Sequence, residues 1–227
     1  MILLVFIGLS SAFYITNINI HGNNNLSNSQ IINILEEENS NIFLFNINSA
    51  LTNLHNNPYV HQATIVKDHI NRQINVNIIE RTQTGYVRFA TDNYLRIDRD
   101  GIVMSTTDTI AEHVPVIVGL NFISFTLGEP IHDMNQQVFD IIAEFANIFF
   151  AYDIDPFFVT IDPTDLNNIR LIYGNIIVNL GSVSDLAEKF RIFVSISDAP
   201  EIYFHKQIGG QLNITNIYRN WTFNILT

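Results

Sequence analysis

The sequence predicts an α+β fold in two parts: a β-α-α-β-β module over residues 15–81 and a β-rich region over 82–227 with two covering helices. An apolar N-terminal run over 1–14 precedes them. Three observations predict this. Apolar and polar side chains alternate in short stretches on both sides of position 82, as half-buried strands require. Apolar stripes at helical spacing interrupt those stretches twice in each part. The first Asp, Glu, Lys or Arg of the chain is Glu36, so everything before it is uncharged.

Composition narrows the function classes. At 227 residues and 47% hydrophobic content, the chain can bury one or two modest cores. Eleven Lys and Arg against 22 Asp and Glu leave a net charge of -11, which disfavours phosphate backbones and anionic lipid heads and argues against nucleic acid as a partner. There is no cysteine, which removes disulfides, thiolate nucleophiles and zinc-thiolate sites together. Asparagine replaces charge on many exposed positions (Asn23-Asn24-Asn25, Asn56-Asn57, Asn167-Asn168). That pattern reads as compositional drift.

The run MILLVFIGLSSAFY over 1–14 seeks hydrocarbon. A spanning helix takes roughly 20 apolar residues with basic flanks, so this run reads as a membrane anchor that either begins upstream of Met1 or is minimal. The alternative is a cleaved signal peptide, since Ser10-Ser11-Ala12 supplies small residues after an apolar core. Either reading places the remainder outside the cytoplasm.

Ile18 and Ile20 alternate with Asn17 and Asn19 as a first strand, and Gly22 permits the reversal after it. Ser27 and Gln30 have capping-box spacing, with Leu26 and Ile31 placed as a hydrophobic staple. They open a helix with the stripe Ile31, Ile34 and Leu35. A second helix begins near Ile47 with Leu51 and Leu54, and Pro58 stops it. Strands over 60–67 and 74–79 form a hairpin that ends at Glu80-Arg81.

Beyond 82 the rhythm shortens to strands over 85–90, 94–97 and 101–105, the last two joined through Asp98-Arg99-Asp100-Gly101. Pro115 to Gly119 and Pro130 punctuate a connecting stretch. Asp133 and Gln136 then open a helix bearing Val138, Ile141, Ile142, Phe145 and Phe149. Strands over 159–161, 169–172 and 176–180 follow, the last pair turning at Gly174-Asn175. Leu186, Phe190 and Phe193 mark the second covering helix, and alternating stretches over 211–216 and 221–225 close the chain.

With these residues in view, the chain resembles the FtsQ/DivIB family of bacterial divisome proteins, which combine a single-pass anchor, a POTRA domain and an extracytoplasmic β-domain. The marks are INIHGNNNLS, NIFLFNINSALTNLHNNPYV, INVNIIER, LRIDRDGIVM, VPVIVG, LGEPI, LAEKF and GGQLNIT, in that order over 15–215. No single one is specific; their order and spacing are. Asn71 and Gln83 depart from the family by standing where prolines are usual, and the basic cytoplasmic tail is absent. The resemblance implies an anchor over 1–14, a POTRA domain over 15–81 and a β-domain over 82–227.

It also implies a scaffold at the division septum, held in the cell membrane by one span. Its partners would be FtsB/DivIC-like and FtsL-like coiled-coil proteins, with other divisome proteins taken through the POTRA domain, and its role control of septal peptidoglycan synthesis. No catalysis or cofactor is implied. In the family a partner strand adds to the last sheet edge, which here falls on Gln211, Leu212, Asn213, Ile214, Thr215 and Asn216 and extends toward Ile225. An unpaired edge suits such augmentation, with Leu212 and Ile214 setting specificity and Trp221 as an anchor; a core position is the other reading of Trp221. Lys189 matches a basic position of the family in the EKF helix, where the readings are a contact to the terminal strand, a contact to an acidic partner, or a solvated helix face.

Other candidates resolve to structure. Glu80 and Arg81 alternate across a strand end and are expected to make structural hydrogen bonds. Asp98, Asp100 and Gly101 have the look of a calcium loop, but Thr109 occupies the position an EF-hand gives to glutamate, so a turn is expected. His55, His61 and His69 lack an acidic companion at ligand spacing. No G-x-S-x-G or S-x-x-K occurs, Asp153 and Asp155 could flank a glycosidic bond of the cell wall only through a fold arrangement that the sequence does not show, and the sequons at Asn213 and Asn220 follow from an Asn-rich composition. A second function class remains, an envelope POTRA protein that guides or chaperones exported polypeptides. It would be expected to carry POTRA repeats and a barrel, and neither is legible.

Overall fold

The computed structural model describes residues 13–35, 41–111, 113–132, 134–155, 157–219 and 221–225. The expected anchor or leader lies outside these residues except for Phe13 and Tyr14. Among the described residues no helix is long and apolar enough to cross a membrane. The chain divides into two units, Met1–Arg81 and Thr82–Thr227.

In the first unit, β1 (Asn17–His21) leads through α1 (Asn28–Leu35) and α2 (Ile47–His55) to the hairpin β2 (Val60–Asp68) and β3 (Gln73–Glu80). The sheet order is β1-β3-β2, with β1 parallel and β2 antiparallel to β3. The entry to α1 is a reciprocal cap: the Ser27 amide donates to Gln30 Oε1 at 2.8 Å and the Gln30 amide to Ser27 Oγ at 3.3 Å. Leu26 and Ile31 are buried around it, as a staple requires. Asn46 caps α2 by accepting from the amides of Asn48 and Ser49. Ile31, Leu35, Ala50 and Leu54 then pack on Ile74, Val76 and Ile78 in one core.

Glu80 closes this unit. Its carboxylate accepts from the amides of Asn24, Asn25 and Leu26 at 3.0, 2.7 and 2.9 Å and from Asn25 Nδ2 at 2.8 Å, pinning the turn between β1 and α1 to the end of β3. Partial burial pushes its pKa up, but those four donors outweigh it and hold the group below its ordinary value.

The second unit is built on one nine-stranded sheet, in the order β12-β11-β10-β9-β8-β7-β4-β5-β6. Strands β4 (Gln83–Ala90), β5 (Asn93–Asp98) and β6 (Val103–Thr107) form an antiparallel meander. Strands β8 (Thr160–Asp162), β9 (Ile169–Tyr173) and β10 (Ile176–Gly181) form another. Between them lies β7 (Val116–Ile117), buried and parallel to both β4 and β8. The connecting stretch expected around Pro115 to Gly119 therefore contains the strand that joins the two meanders. The Asp98 turn is structural, as expected: its Oδ1 accepts from the amides of Asp100 and Ile102, both at 2.9 Å.

Among the described residues three helices, where two were expected, accompany this sheet: α3 (Gln136–Tyr152), α4 (Leu186–Ser197) and α5 (Pro200–Ile208). The first is capped by Asn135, whose side chain accepts from the Gln137 amide; Asp133, the expected opener, lies outside the described residues. Its stripe of Val138, Ile141, Ile142, Phe145 and Phe149 is buried throughout. Phe190 of α4 meets the rings of Phe145 and Phe149 at 5.9 and 5.7 Å and that of Phe193 at 5.9 Å, so α3 and α4 share one aromatic core. That core includes Leu180 and Leu212, which ties it to the end of the sheet where the site was sought.

Candidate functional site at the end of the sheet

After β10 the chain passes through α4 and α5 and returns as β11 (Gly210–Asn213), parallel to β10, and then as β12 (Thr222–Asn224), antiparallel to β11. Two carboxamides make the reversal between them. Asn213 Oδ1 accepts from the Thr215 amide at 3.1 Å, and Asn216 Oδ1 from the Tyr218 amide at 2.8 Å. The strand expected over 211–216 consequently stops at Asn213, and its outer side is occupied.

This corrects the expected edge. Gln211, Leu212 and Asn213 pair with Ile177, Val178 and Asn179 on one side and with Asn224, Phe223 and Thr222 on the other. Leu212 is 0% exposed and Ile214 2% exposed, so both serve the core and neither is offered to a partner. The reason is the strand's period of two: with β10 and β12 on either side, alternate residues face the aromatic core. Gln211 is half-buried, and Asn213, Thr215 and Asn216 are exposed. The terminal strand at the described edge is β12. Trp221 precedes it at 36% exposure, which removes the core reading for that residue.

Register sets which backbone groups face outward. The Ile214 amide donates to the Asn179 carbonyl at 2.9 Å, so even-numbered residues of this strand turn to β10, and Gln211 and Asn213 turn to β12. Their partners Asn224 and Thr222 turn back toward β11, which leaves the amide and carbonyl of Phe223 pointing away from the sheet. The Phe223 ring lies on Gly210, where an added Cβ would collide with it, and 5.0 Å from the ring of His205 on α5. A polar cleft of about 360 Å³ opens beside the strand between Asn213, Thr215, Asn216, Arg219 and Thr222.

Lys189 is also corrected. It is 2% exposed, not on a solvated face or in a partner's reach. Its Nζ donates to the Ser182 carbonyl at 2.9 Å. Burial pushes its pKa down, and the nearby Asp185 carboxylate opposes the shift. The missed signal was the spacing: position 189 lies three residues after Leu186 and one before Phe190, on the buried stripe of α4. Among the described residues no His, Asp and Glu side chains converge as metal ligands.

Residues 13–81 match the family model described as POTRA domain, FtsQ-type. Similarity continues through the second unit. The cell division protein DivIB of Clostridium tetani is 27% identical over 89% of this chain and 76% of its own length. The chain is thus similar to FtsQ/DivIB cell division proteins through both units. Other similar proteins include DivIB of Clostridium botulinum strain Hall, 23% identical over 84% of this chain and 74% of its own length. DivIB of Clostridium acetobutylicum is 22% identical over 81% and 73%. These relatives support a role in cell division. The stretch that matches the POTRA model is the unit held by the Glu80 clamp.

Proposed function

We propose that this chain is a division scaffold, not an enzyme. It captures a strand from an FtsB/DivIC-like partner, accompanied by an FtsL-like one, along the outer side of β12, and so takes part in controlling septal peptidoglycan synthesis. An anchor formed by the apolar run over 1–14 holds it in the cell membrane at the septum with the bulk outside the cytoplasm. The POTRA domain takes further division proteins along β2, the outer strand of its own sheet. The observation that carries the reading is β12 itself: a three-residue terminal strand with Phe223's backbone facing outward and Trp221 and Ile225 exposed at its two ends. Backbone pairing supplies affinity in such augmentation, and flanking aromatic side chains supply specificity. Relatives named for cell division favour this reading over a polypeptide-guiding envelope protein.

The test uses two substitutions at one position. Phe223→Ala removes the ring but keeps the outward amide; Phe223→Pro removes the amide as well, without touching the donors of the β11–β12 ladder. In a pull-down with the small coiled-coil partner, the alanine variant is expected to retain binding and the proline variant to lose it. Equal binding by both rejects the edge. Depletion of the protein should leave elongated cells without septa, and normal division in cells holding a single copy rejects the scaffold role.

A further inference from the structure

At one end of the POTRA unit three segments meet: the start of the described chain at Phe13 and Tyr14, the loop before α2, and the turn between β2 and β3. The backbone fastens them together. The Ile42 amide donates to the Phe13 carbonyl at 2.9 Å, Tyr14 bridges to Asn41, and the Thr16 amide donates to the Arg72 carbonyl at 2.9 Å. What this end shows to its surroundings is apolar. Phe43 is 59% exposed, Leu44 79% and Ile70 92%, with Phe13 and Tyr14 also exposed. The Phe43 ring meets Phe13 edge-on and stacks on His69, both at 5.2 Å.

We infer that this end is a lipid-docking face that rests in the interfacial layer of the bilayer. Three features select lipid as the occupant. The apolar residues 1–12 enter the unit at Phe13, in the middle of the patch, so a bilayer holding that run is brought to it. Its aromatic and aliphatic side chains are of the kind that settles at the headgroup level. Among the described charged groups, Lys67, over the Phe45 ring at 5.7 Å, can reach the headgroups on a long stem. Asp68, the one carboxylate at the turn, is engaged by the amides of Ile70 and Asn71 and by Asn71 Nδ2. Docking would fix the orientation of the POTRA unit on the membrane instead of leaving it on a tether.

This inference rests on the membrane anchor proposed above, and the experiment separates the two. Full-length chain carrying Trp221→Phe, with a single new tryptophan as Phe43→Trp or Ile70→Trp, is reconstituted into phosphatidylcholine vesicles whose acyl chains are brominated near the headgroup. Zwitterionic lipid is used because the chain's net charge is -11. Ile79→Trp serves as the reference; it is exposed and lies six residues along β3 from Gln73, roughly 20 Å from this end. Positions 43 and 70 are expected to emit at shorter wavelength and to be quenched by the bromines, and position 79 is not. Flotation with the vesicles but no quenching at 43 and 70 overturns the docking face and leaves the anchor standing. Failure to float overturns both. A short-wavelength emission at 43 before lipid is added, unquenched afterwards, assigns the patch to residues 1–12 and overturns it. Equal quenching at 79 also overturns it, since the face would then not be specific.

Discussion

The two ends of the nine-stranded sheet solve the same problem differently. At the β6 end, the segment over 128–131 lies along the strand. The Val103 amide donates to the Glu129 carbonyl and the Gly128 amide to the Val103 carbonyl, both at 2.9 Å, while Ile102 bridges to Pro130. That edge is covered at its start, around Ile102 and Val103, by the chain's own backbone, with a proline in the cover. At the other end β12 is short, exposed and without such a cover among the described residues. One edge is thus partly closed by a loop while β12 keeps its outer backbone groups open among the described residues, which is the contrast the proposed strand addition at β12 rests on.

The largest way to break the comparison is to remove what β11 contributes to the core. Leu212→Ala is expected to destabilise the second unit by about 2–5 kcal/mol, the usual cost of a buried leucine, read as a lower urea midpoint for that unit. Leu212→Asp is expected to unfold it, because a carboxylate would enter a site with 0% exposure. Loss of partner binding in such a variant would therefore report on the core and not on the edge. A Leu212→Ala variant of unchanged stability would mean that β11 is not packed as described.

Gly210→Ala sharpens the comparison more gently. The added methyl collides with the outer end of the Phe223 ring, which can be displaced because β12 has no strand beyond it among the described residues. The expected effect is a looser β12: amide exchange at Gln211 and Asn213 rises roughly tenfold, equivalent to about 1.4 kcal/mol, while amides of β9 and β10 are unchanged. Unchanged exchange at Gln211 and Asn213 would show that Phe223 does not hold the strand down.

The fold was legible where one rule decided it. The stripe of α3, from Val138 to Phe149, repeats at helical spacing through about three turns, and the cap of α1 is written in Ser27 and Gln30. It was illegible where the deciding interaction is remote. Strand β7 has two residues after a proline, too few to show a period, and is a strand only because β4 and β8 flank it. Among the described side chains of helix α5, Ile202 is the one buried apolar group, so no stripe announced it. At the site, both terminal strands were visible in their alternation, but which of them lies outside depends on Asn213 and Asn216 turning the chain back. Those two side chains look like any others in an Asn-rich sequence.

The POTRA unit supplies an internal reference for these measurements through pH. Glu80 has its folded pKa held below the ordinary 4.5. Its contribution is fully present above the unfolded value and is lost as pH falls through the folded one. Four donors to a partly exposed carboxylate amount to about 1 kcal/mol. The urea midpoint of this unit is expected to fall as pH drops below 4.5, and Glu80→Gln is expected to remove that dependence. A decline of the same size in the glutamine variant would place the titrating group elsewhere.

The smallest expected effect is at Lys189, and it separates burial from recognition. Its ammonium donates to the Ser182 carbonyl, yet burial disfavours the charge and lowers its pKa. The folded value lies below the unfolded 10.5, so the penalty is fully present below the folded pKa and is relieved as pH rises from it toward 10.5. Lys189→Met loses one hydrogen bond and also the desolvation of a charge. These terms oppose, so the change at neutral pH is expected to stay within about 1 kcal/mol. Wild type should gain on the methionine variant as pH rises into that window. Because Lys189 lies under the surface while Phe223 presents its backbone outward, partner capture should be indifferent to this substitution and sensitive to Phe223→Pro. The reverse pattern in a pull-down would move the site from the strand edge to α4.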